Sequence, residues 1–333
     1  MTRTFSGTVF SNREGVTFPE NGCGITVGNF DGVHLGHREI VRRLIGLVQP
    51  HGLPAVALTF DPHPAELLHP GLARRFLTTT QRRAELLLSL GLDAVFVLNT
   101  TPELLKFSAE EFYSEVLCRC FHPAAIAEGE DFHFGHNRQG TLSDLKRWAN
   151  RDSIELTTVS PVRIFGTAVS SSRIRGLLEK GNVTDANELL VFPYRVEGQV
   201  EQGQRRGEEL GFPTANLGGV CTLIPQDGVY AGVATIASGA RHGAAIHVGK
   251  NLTFGAAKKT IEVHLLGFSG DLYGQVLQVE FFQRIRATEK FEGVDALTKQ
   301  LHADVAQIES LSQLNLEKPQ AQRVSLSSAS FSG

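Results

Sequence analysis

A ten-residue segment, Gly28 to His37 (GNFDGVHLGH), constrains the fold of this chain most. It follows an apolar run, Ile25-Thr26-Val27, that predicts a buried strand, and it leads into the amphipathic pattern of a helix. His34 and His37 stand three apart where the loop becomes the helix, and helix positions i and i+3 share a face. The helix N-terminus adds free N–H groups and a positive dipole end. This construction suits a polyphosphate held for attack at phosphorus, and it predicts nucleotidyl transfer.

The glycines of this segment support that interpretation. Gly28 and Gly32 permit close backbone approach or a positive φ, and Gly36 leaves room for a phosphate at the helix start. Two arbitrary histidines at this spacing are more often surface or capping residues. The strand-loop-helix context, with GNFDG ahead of the pair, favours a ligand.

A second phosphate cradle is predicted at SSSRIR, residues 170–175. Hydroxyls and arginines here stand at the start of a predicted helix, where anions bind readily. Alone, the stretch is typical of an N-cap with solvated arginines. Together with the histidine pair it indicates a second set of contacts to the same phosphates.

Length and composition limit the classes of protein to which this chain can belong. A chain of 333 residues favours two domains, and a net charge of −3 provides no basic field for nucleic acid. No apolar run approaches the ~20 residues of a membrane helix, and the N-terminus lacks the apolar core of a signal peptide. The cysteines have no zinc-ligand spacing, so we expect free thiols in a reducing cytoplasm. They are Cys23, Cys118, Cys120 and Cys221.

The pattern of predicted elements changes along the chain. The first half alternates strands and helices, which predicts a parallel sheet covered on both faces with ligands beyond the C-terminal strand ends. From Tyr194 short strand candidates follow one another, which predicts a small antiparallel barrel, and a helix comes after them. The Ser-rich tail predicts disorder. We therefore predict domains at 1–190 and 191–316, with a disordered tail at 317–333.

The barrel region carries its own candidate site. Thr214 and Asn216, in GFPTANL, have the hard oxygen atoms that Mg²⁺ prefers beside a nucleotide. Glu262 stands on a predicted strand, and alternation puts it on the face opposite Ile261 and Val263. Alone, PTAN is typical of a turn and a strand glutamate is typically solvated.

Four motifs in order carry a family resemblance between about residues 24 and 190: GNFDGVHLGH, TFDPHP, GEDFHFGHNRQG and SSSRIR. They resemble the FMN adenylyltransferase half of the bifunctional bacterial riboflavin kinase/FAD synthetases, within the HxGH nucleotidyltransferase superfamily. The resemblance implies a Rossmann-like α/β domain that binds ATP over the HxGH helix with FMN alongside. The FMN phosphate would attack the α-phosphorus of ATP and expel pyrophosphate. Since that nucleophile is already ionised at pH 7, positioning and charge stabilisation carry the rate.

The same resemblance implies the residue roles in this half. His34 and His37 would contact the ATP phosphates and, with Arg175, act in catalysis. Asp31 is also read as a structural residue that closes its loop, and His63 as a loop residue beside the flavin. Nucleotide and flavin contacts are assigned to Gly28, Asn29, Phe30, Asp31, Asp131, Ser171 and Ser172.

From Tyr194 to about Asp304 the chain resembles the riboflavin kinase module, through GFPTANL, GVYAGV, EVHLL and DLYG. This implies a six-stranded barrel with a C-terminal helix, carrying ATP, Mg²⁺ and riboflavin. The attacking ribityl hydroxyl is not ionised at pH 7, so a base is useful, and Glu262 matches it. Thr214 matches the metal contact and Asn216 the phosphate contact. The phosphate loop is matched by Gly203, Gly207 and Gly211.

The kinase half also departs from the family pattern. His247 replaces Asn and Gly267 replaces Asp, while Glu208 puts a negative charge where the family has Arg. Leu252 replaces Pro. The leading hypothesis is a bifunctional enzyme that makes FMN from riboflavin and then FAD. The alternative is an FMN adenylyltransferase whose kinase-like barrel is weak or inactive.

Other classes fit less well. The PTAN barrel disfavours a nicotinamide or pantetheine adenylyltransferase, and the acidic balance with intact motifs disfavours a non-catalytic RNA-binding or flavin-sensing module. The expected partners are riboflavin, FMN and ATP, with no nucleic acid and no membrane. The sequence does not indicate an oligomeric state.

Overall fold

A computed structural model describes residues 5–11, 22–69, 76–203, 207, 210–251, 258–316 and 327–332. The chain forms two compact units. The first contains residues 1–74, 80–169 and 321–333, and the second contains residues 75–79 and 170–320.

The first unit alternates strands and helices along the chain, as expected for an α/β domain. Its strands are β1 Ser6–Ser11, β2 Cys23–Val27, β3 Ala55–Asp61, β4 Ala94–Asn99, β5 Pro123–Gly129, β6 His133–Phe134, β7 Gly140–Thr141, β8 Glu155–Val159, β9 Arg163–Ile164 and β10 Thr167–Ala168. Its helices are α1 Leu35–Val48, α2 Pro64–Leu68, α3 Thr80–Ser89, α4 Ala109–Glu111, α5 Arg119–Phe121 and α6 Leu142–Arg151. A π-helical segment, Phe112–Cys118, joins α4 to α5.

The main sheet has a doubly wound centre. Strands β2, β3, β4, β5 and β8 pair in parallel, in the order β4-β3-β2-β5-β8. The direction of winding reverses between β2 and β5, and in such sheets ligands bind in the crevice at that switch point. The segment after β2 is GNFDGVHLGH. The predicted α/β class and the predicted place of the motif at a strand end are confirmed.

Helix α1 forms because its apolar residues recur at helical spacing. Val41, Leu44 and Val48 are buried, and the helix packs against β2 and β5. The packing holds the start of α1 over the end of β2. A capping box begins α4, with Ser108 Oγ accepting from the Glu111 N–H at 3.1 Å.

The predicted disorder of the tail is wrong for residues 327–332. These residues form β17 Ser327–Ser332, which pairs antiparallel with β1 and extends the sheet beyond it. Strand β1 pairs with β4 on one side, and without β17 its other side would present unpaired N–H and C=O groups. Backbone groups of a polar segment satisfy such an edge without an apolar pattern, so composition does not reveal the strand. Residues 317–326 lie outside the described residues.

The second unit is a closed antiparallel barrel of six strands flanked by helices. Its elements are α7 Ser171–Glu179, α8 Val183–Leu189, β11 Arg195–Glu201, β12 Ala215–Gly218, β13 Gly228–Thr235, β14 Arg241–Asn251, β15 Lys258–Leu265, β16 Val276–Arg286 and α9 Val294–Leu316. The strand order is β11-β12-β15-β14-β13-β16, and β16 pairs back with β11. The predicted barrel with its C-terminal helix is confirmed.

Helices α7 and α8 pack with the barrel rather than with the parallel sheet. In α8 the Asn187 side chain donates to the Phe281 carbonyl at 2.8 Å and accepts from the Tyr194 N–H at 2.8 Å. These bonds tie the helix to β16 and to the start of β11. The contacts thus divide the units between Val169 and Ser170, whereas the sequence places the functional division at residue 190, which stays a prediction.

Candidate active sites

The start of helix α1 is closed by its two histidines. Nδ1 of His34, the N-cap, accepts from the His37 N–H at 3.4 Å, and Nδ1 of His37 accepts from the His34 N–H at 3.3 Å. This reciprocal pattern is a capping box in which imidazoles replace the usual hydroxyl and carboxylate. Because both Nδ1 atoms accept, each neutral ring carries its proton on Nε2. The pair therefore keeps two Nε2–H donors for a ligand.

The two rings form one stack. Their centroids are 3.6 Å apart with planes inclined by 16°, and the Phe30 ring meets His37 edge-on at 5.2 Å. Stacking at this distance disfavours two positive charges. It also gives the two rings one shared orientation, as the i and i+3 spacing predicts.

Both histidines are held neutral at pH 7. Burial lowers the pKa of His34 to about 4, and the charges of Asp31 and Asp131 offset only part of that effect. The pKa of His37 lies well below the ordinary value because of burial, His34 and the cation of Arg83. The site therefore offers neutral hydrogen-bond donors to an anionic ligand, not imidazolium charges.

The loop between β2 and α1 is tightly built. Gly32 has φ +83, and the buried residues Phe30 and Val33 have φ values of 46 and 42. Non-glycine residues in this region store strain, which persists only where surrounding contacts enforce it. A Cβ on Gly28 would lie 3.1 Å from the Phe30 ring, and one on Gly36 would lie 3.1 Å from the His34 ring. The space beside Gly36 is thus occupied by the imidazole of His34.

The sheet places two predicted contact residues beside the switch point. Asn29, after β2, and Asp131, after β5, are both exposed. The two strand ends are joined by Glu128, whose Oε1 accepts from the Val27 N–H at 2.6 Å. Burial raises the pKa of Glu128 well above its usual value. Asp31 is buried, and this burial favours the structural reading of that residue.

The DPHP segment supplies a cap rather than a catalyst. His63 is the N-cap of α2, and its Nδ1 accepts from the Ala65 N–H at 3.0 Å. Glu66 closes the box, with Oε2 accepting from the His63 N–H at 3.0 Å. The expectation that His63 is a loop residue agrees with this geometry, and its place beside the flavin stays a prediction.

The SSSRIR segment belongs to the second unit. Ser170 caps α7, with Oγ accepting from the Arg173 N–H at 3.2 Å. Ser171 and Arg175 are half-buried on the first turns, and Ser172 is exposed. Their contact with the phosphates stays a prediction.

In the barrel, the strand register brings the predicted kinase residues into one row. Asn216 on β12 and His247 on β14 are both paired with Glu262 on β15. Cross-strand partners share a face, so the three side chains lie side by side. Ile261 and Val263 are buried on the opposite face, which confirms the predicted orientation of Glu262.

Two cavities share Thr214, and the first of them is also lined by two residues of this row. A cavity of about 390 Å³ is lined by Thr214, Glu262 and His247 together with residues of α9, including Leu297 and Leu301. A second cavity of about 460 Å³ is lined by Thr214 and by the loop 268–273. Both volumes suit a small organic ligand. Thr214 lines both cavities, as expected for a group placed between two substrates.

Glycines bring the backbone close to this site. A Cβ on Gly203 would lie 2.1 Å from the Asn216 Nδ2, and one on Gly207 would lie 2.4 Å from the Phe212 carbonyl oxygen. Gly211 has φ +84, which favours glycine. The three glycines predicted for the phosphate loop therefore lie against, or turn toward, the segment that carries Thr214 and Asn216.

Helix α9 forms a wall of the first cavity and is anchored by a buried ion pair. Arg286 donates to Asp304 through Nη2 at 2.8 Å and Nε at 3.0 Å, and Gln300 Nε2 donates to the same carboxylate at 2.8 Å. Asp304 is only 3% exposed. A buried, bidentate ion pair fixes the position of α9 against β16 more firmly than a surface ion pair would.

The departures from the family pattern have different surroundings. His247 is exposed and lines the first cavity, and Gly267 occupies an exposed turn with φ +66. Glu208 and Leu252 lie outside the described residues.

Two residues of the first unit were missed by sequence reasoning. Glu128 is an acid in the otherwise apolar strand AAIAEG, and Arg83 is a cation on the buried face of α3. A charge inside an apolar pattern was the available signal, because buried charges are rare unless paired.

Two known protein families match different parts of the chain. Residues 18–173 match the FAD synthetase family profile, and residues 190–312 match the riboflavin kinase profile. The class is therefore a two-part transferase, with an HxGH nucleotidyltransferase domain followed by a kinase barrel.

Full-length relatives narrow the class. A bifunctional riboflavin kinase/FMN adenylyltransferase from Listeria monocytogenes is 34% identical over 84% of this chain and 89% of its own length. One from Pseudomonas fluorescens is 35% identical over 88% of this chain and 94% of its own length. The chain belongs to the bifunctional riboflavin kinase/FMN adenylyltransferase family.

A solved structure shares the whole architecture. It is called a macrolide-efflux protein from Streptococcus pneumoniae, is 31% identical, and superposes with a TM-score of 0.81 over 90% of this chain and 97% of that one. That name describes transport. Among the described residues of this chain, no helix combines the length and the apolar character needed to cross a bilayer.

Proposed function

We propose that the first active centre of this enzyme adenylylates FMN at the His34–His37 pair. The observation that carries the proposal is the reciprocal capping box. It uses the Nδ1 atom of each neutral ring as an acceptor, so neither Nε2–H group takes part in it. Neutral donors stabilise charge that develops on a leaving pyrophosphate without taking a proton from the attacking phosphate. Asn29 and Asp131 serve the nucleotide and flavin beside the switch point. Ser171, Ser172 and Arg175 contact the triphosphate.

The second centre phosphorylates riboflavin in the barrel. Glu262 acts as proton acceptor for the ribityl hydroxyl, because an alcohol needs a base at pH 7. Its place beside Asn216, in the cavity that Thr214 also lines, supports this role. The phosphate loop is formed by Gly203, Gly207 and Gly211.

The donor set at Thr214 and Asn216 fits Mg²⁺. Hydroxyl, amide and carboxylate oxygens are hard ligands, and Mg²⁺ beside a nucleotide uses few protein ligands together with phosphates. Consistent with this, the described residues contain no cluster of three or more His, Cys, Asp or Glu side chains placed to hold a metal. When bound, the ion would neutralise phosphate charge. Thr214 is its proposed ligand, and Asn216 orients the phosphates.

A product assay tests both assignments. Purified protein with Mg²⁺, ATP and riboflavin should yield FMN and then FAD, and with FMN it should yield FAD directly. Formation of FAD from FMN alone would contradict the kinase assignment, and absence of both products would contradict the whole proposal. The full-length bifunctional relatives favour two activities over the adenylyltransferase-only alternative.

The proposed location is the cytoplasm. All four cysteines, which lie within the described part of the chain, are free thiols, as a reducing compartment would keep them.

The neutral histidine pair predicts a pH-dependent stability. In the unfolded chain histidine titrates near its ordinary pKa, while in the folded protein the pKa of His34 is about 4. Between these values the unfolded state binds more protons, so the free energy of unfolding falls as pH falls through this window, by up to about 1.4 kcal/mol per pH unit for one group. Urea unfolding at pH 7 and at pH 5 measures this change in the free energy of unfolding. His34→Asn, which keeps an N-cap, should show a smaller pH dependence; an equal one would contradict the assignment.

Thr214→Val should weaken the kinase and its response to metal. The substitution keeps the shape and removes the hydroxyl, a loss worth about 1.5–3 kcal/mol for a bond to a charged group. We expect FMN formation to fall roughly 10- to 100-fold, with a higher Mg²⁺ requirement. FAD formation from FMN should not change. Thr235→Val, a buried site on β13 outside the two cavities, is the control; equal losses in both variants would contradict the role of Thr214.

A further inference from the structure

Arg83 is a buried cation on α3, in the first unit. Its side chain is 3% exposed and lies on the helix face that also buries Leu86 and Leu87. Nη1 donates to Thr59 Oγ1 at 3.2 Å, while buried Nε has no hydrogen-bond partner among the described residues. An ionised group in such a place is costly unless nearby charges offset the loss of water. Arginine does not escape that cost by losing its proton.

The compensating charges come from two separate segments of the chain. Burial lowers the pKa of Arg83, and the carboxylates of Asp31, Asp61 and Glu66 oppose this effect. Asp31 belongs to the loop between β2 and α1, whereas Asp61 and Glu66 belong to the segment that ends β3 and begins α2. The charge of one guanidinium is thus offset by acidic groups from two motif segments of this chain, GNFDG and the segment around DPHP.

A hydrogen-bonded chain connects Arg83 to the first loop. The Thr59 hydroxyl accepts from Arg83 and in turn donates to the Asn29 carbonyl oxygen, 3.5 Å away. The cation is also close enough to His37 to disfavour a charge on that ring. Arg83 is therefore linked to the loop, to the helix start and to the segment after β3 at the same time.

We propose that Arg83 is a positioning residue for adenylylation, which holds the 28–34 loop and the 61–66 segment together behind the histidine pair. This inference rests on the proposed role of His34 and His37. The acidic groups of these two segments repel each other and the anionic substrates. The positive charge of the buried guanidinium offsets that repulsion, so both segments keep their geometry when ATP and FMN bind. Arg83 acts through the histidines and the loops and does not contact the nucleotide.

The test compares Arg83→Met with Arg83→Lys in the full-length protein. Met keeps the bulk and removes the charge, and Lys keeps the charge. A misplacement of about 1 Å costs on the order of 10²-fold in rate. We therefore expect Arg83→Met to lower kcat for FAD formation roughly 10- to 100-fold with little change in the KM for ATP. Arg83→Lys should recover most of the rate.

The control variant removes an equivalent charge elsewhere. Arg42 lies on α1, five residues after His37, where it is exposed and pairs with Glu39 at 2.6 Å. Arg42→Met should leave FAD formation within about twofold of the unmodified chain, since surface pairs contribute little. Urea unfolding of each variant reports whether its first unit is folded, and FMN formation from riboflavin, in the same molecule, reports the amount of intact second unit.

A spectroscopic measurement separates positioning from mere stability. The charged and titratable groups that face the histidine pair are Arg83 from α3, Asp31 from the loop and Asp131 from the segment after β5. An NMR titration of the imidazoles, assigned with His37→Ala, should show the pKa of His37 moving upward in Arg83→Met and unchanged in Arg83→Lys.

Each outcome decides the proposal. Near-normal FAD formation in Arg83→Met overturns it, and so does a loss that Lys does not rescue while the pKa of His37 stays in place. If Arg83→Met does not fold, Arg83→Gln replaces it in the comparison with Lys. Normal FAD formation in His37→Ala would instead overturn the proposed function, so the two failures are distinguishable.

Discussion

Replacement of His37 by alanine is expected to lower FAD formation about 10²-fold or more and to leave FMN formation from riboflavin intact. The expected loss follows from the proposed role of His37, because the substitution removes an Nε2–H donor to charge that exists fully only in the transition state. It also removes the acceptor that holds the His34 N–H, at a cost of about 0.5–2 kcal/mol in helix stability. Separate assays with FMN and with riboflavin, on one preparation, measure the two activities.

Two further variants separate the chemical effect from the structural one. His37→Gln retains a side chain that can close the capping box, so it should restore stability but not the rate. His51→Ala, at an exposed position beyond the end of α1, should change neither. Near-normal FAD synthesis by His37→Ala would refute the assignment of the site.

Glu262→Gln is expected to have the converse effect. Glutamine keeps the size and the polar contacts of the side chain but cannot accept a proton, so FMN formation should fall by about 10²- to 10⁴-fold. FAD formation from added FMN should continue at the unmodified rate, since it takes place at the other centre. The measurement is the rate of FMN appearance at saturating riboflavin and ATP.

The matched control is another glutamate of the same barrel. Glu197 on β11 is exposed and lines neither of the two cavities. Glu197→Gln should therefore leave both activities unchanged. If FMN formation survives Glu262→Gln unaltered, Glu262 is not the base.

The parts of the sites that were predictable depend on local patterns. The strand, the glycines and the i, i+3 spacing of His34 and His37 all lie within the fifteen residues from Cys23 to His37, so chain geometry relates them directly. In the same way, alternation along β15 assigns Glu262 to the face opposite Ile261 and Val263. The register that puts Asn216 and His247 beside Glu262 joins strands far apart in sequence, so alternation alone does not reveal it.

Motifs and periodicities are local properties of the chain, so the fold class and the family could be read from the sequence, together with the residues proposed to carry the two chemistries. Tertiary structure decided which groups are buried together. It showed that His34 and His37 cap one another and stay neutral, that Arg83 is buried where carboxylates of two separate segments offset its charge, and that a polar tail pairs with β1. These features depend on desolvation and on backbone pairing between distant segments, which no pattern within a single segment contains.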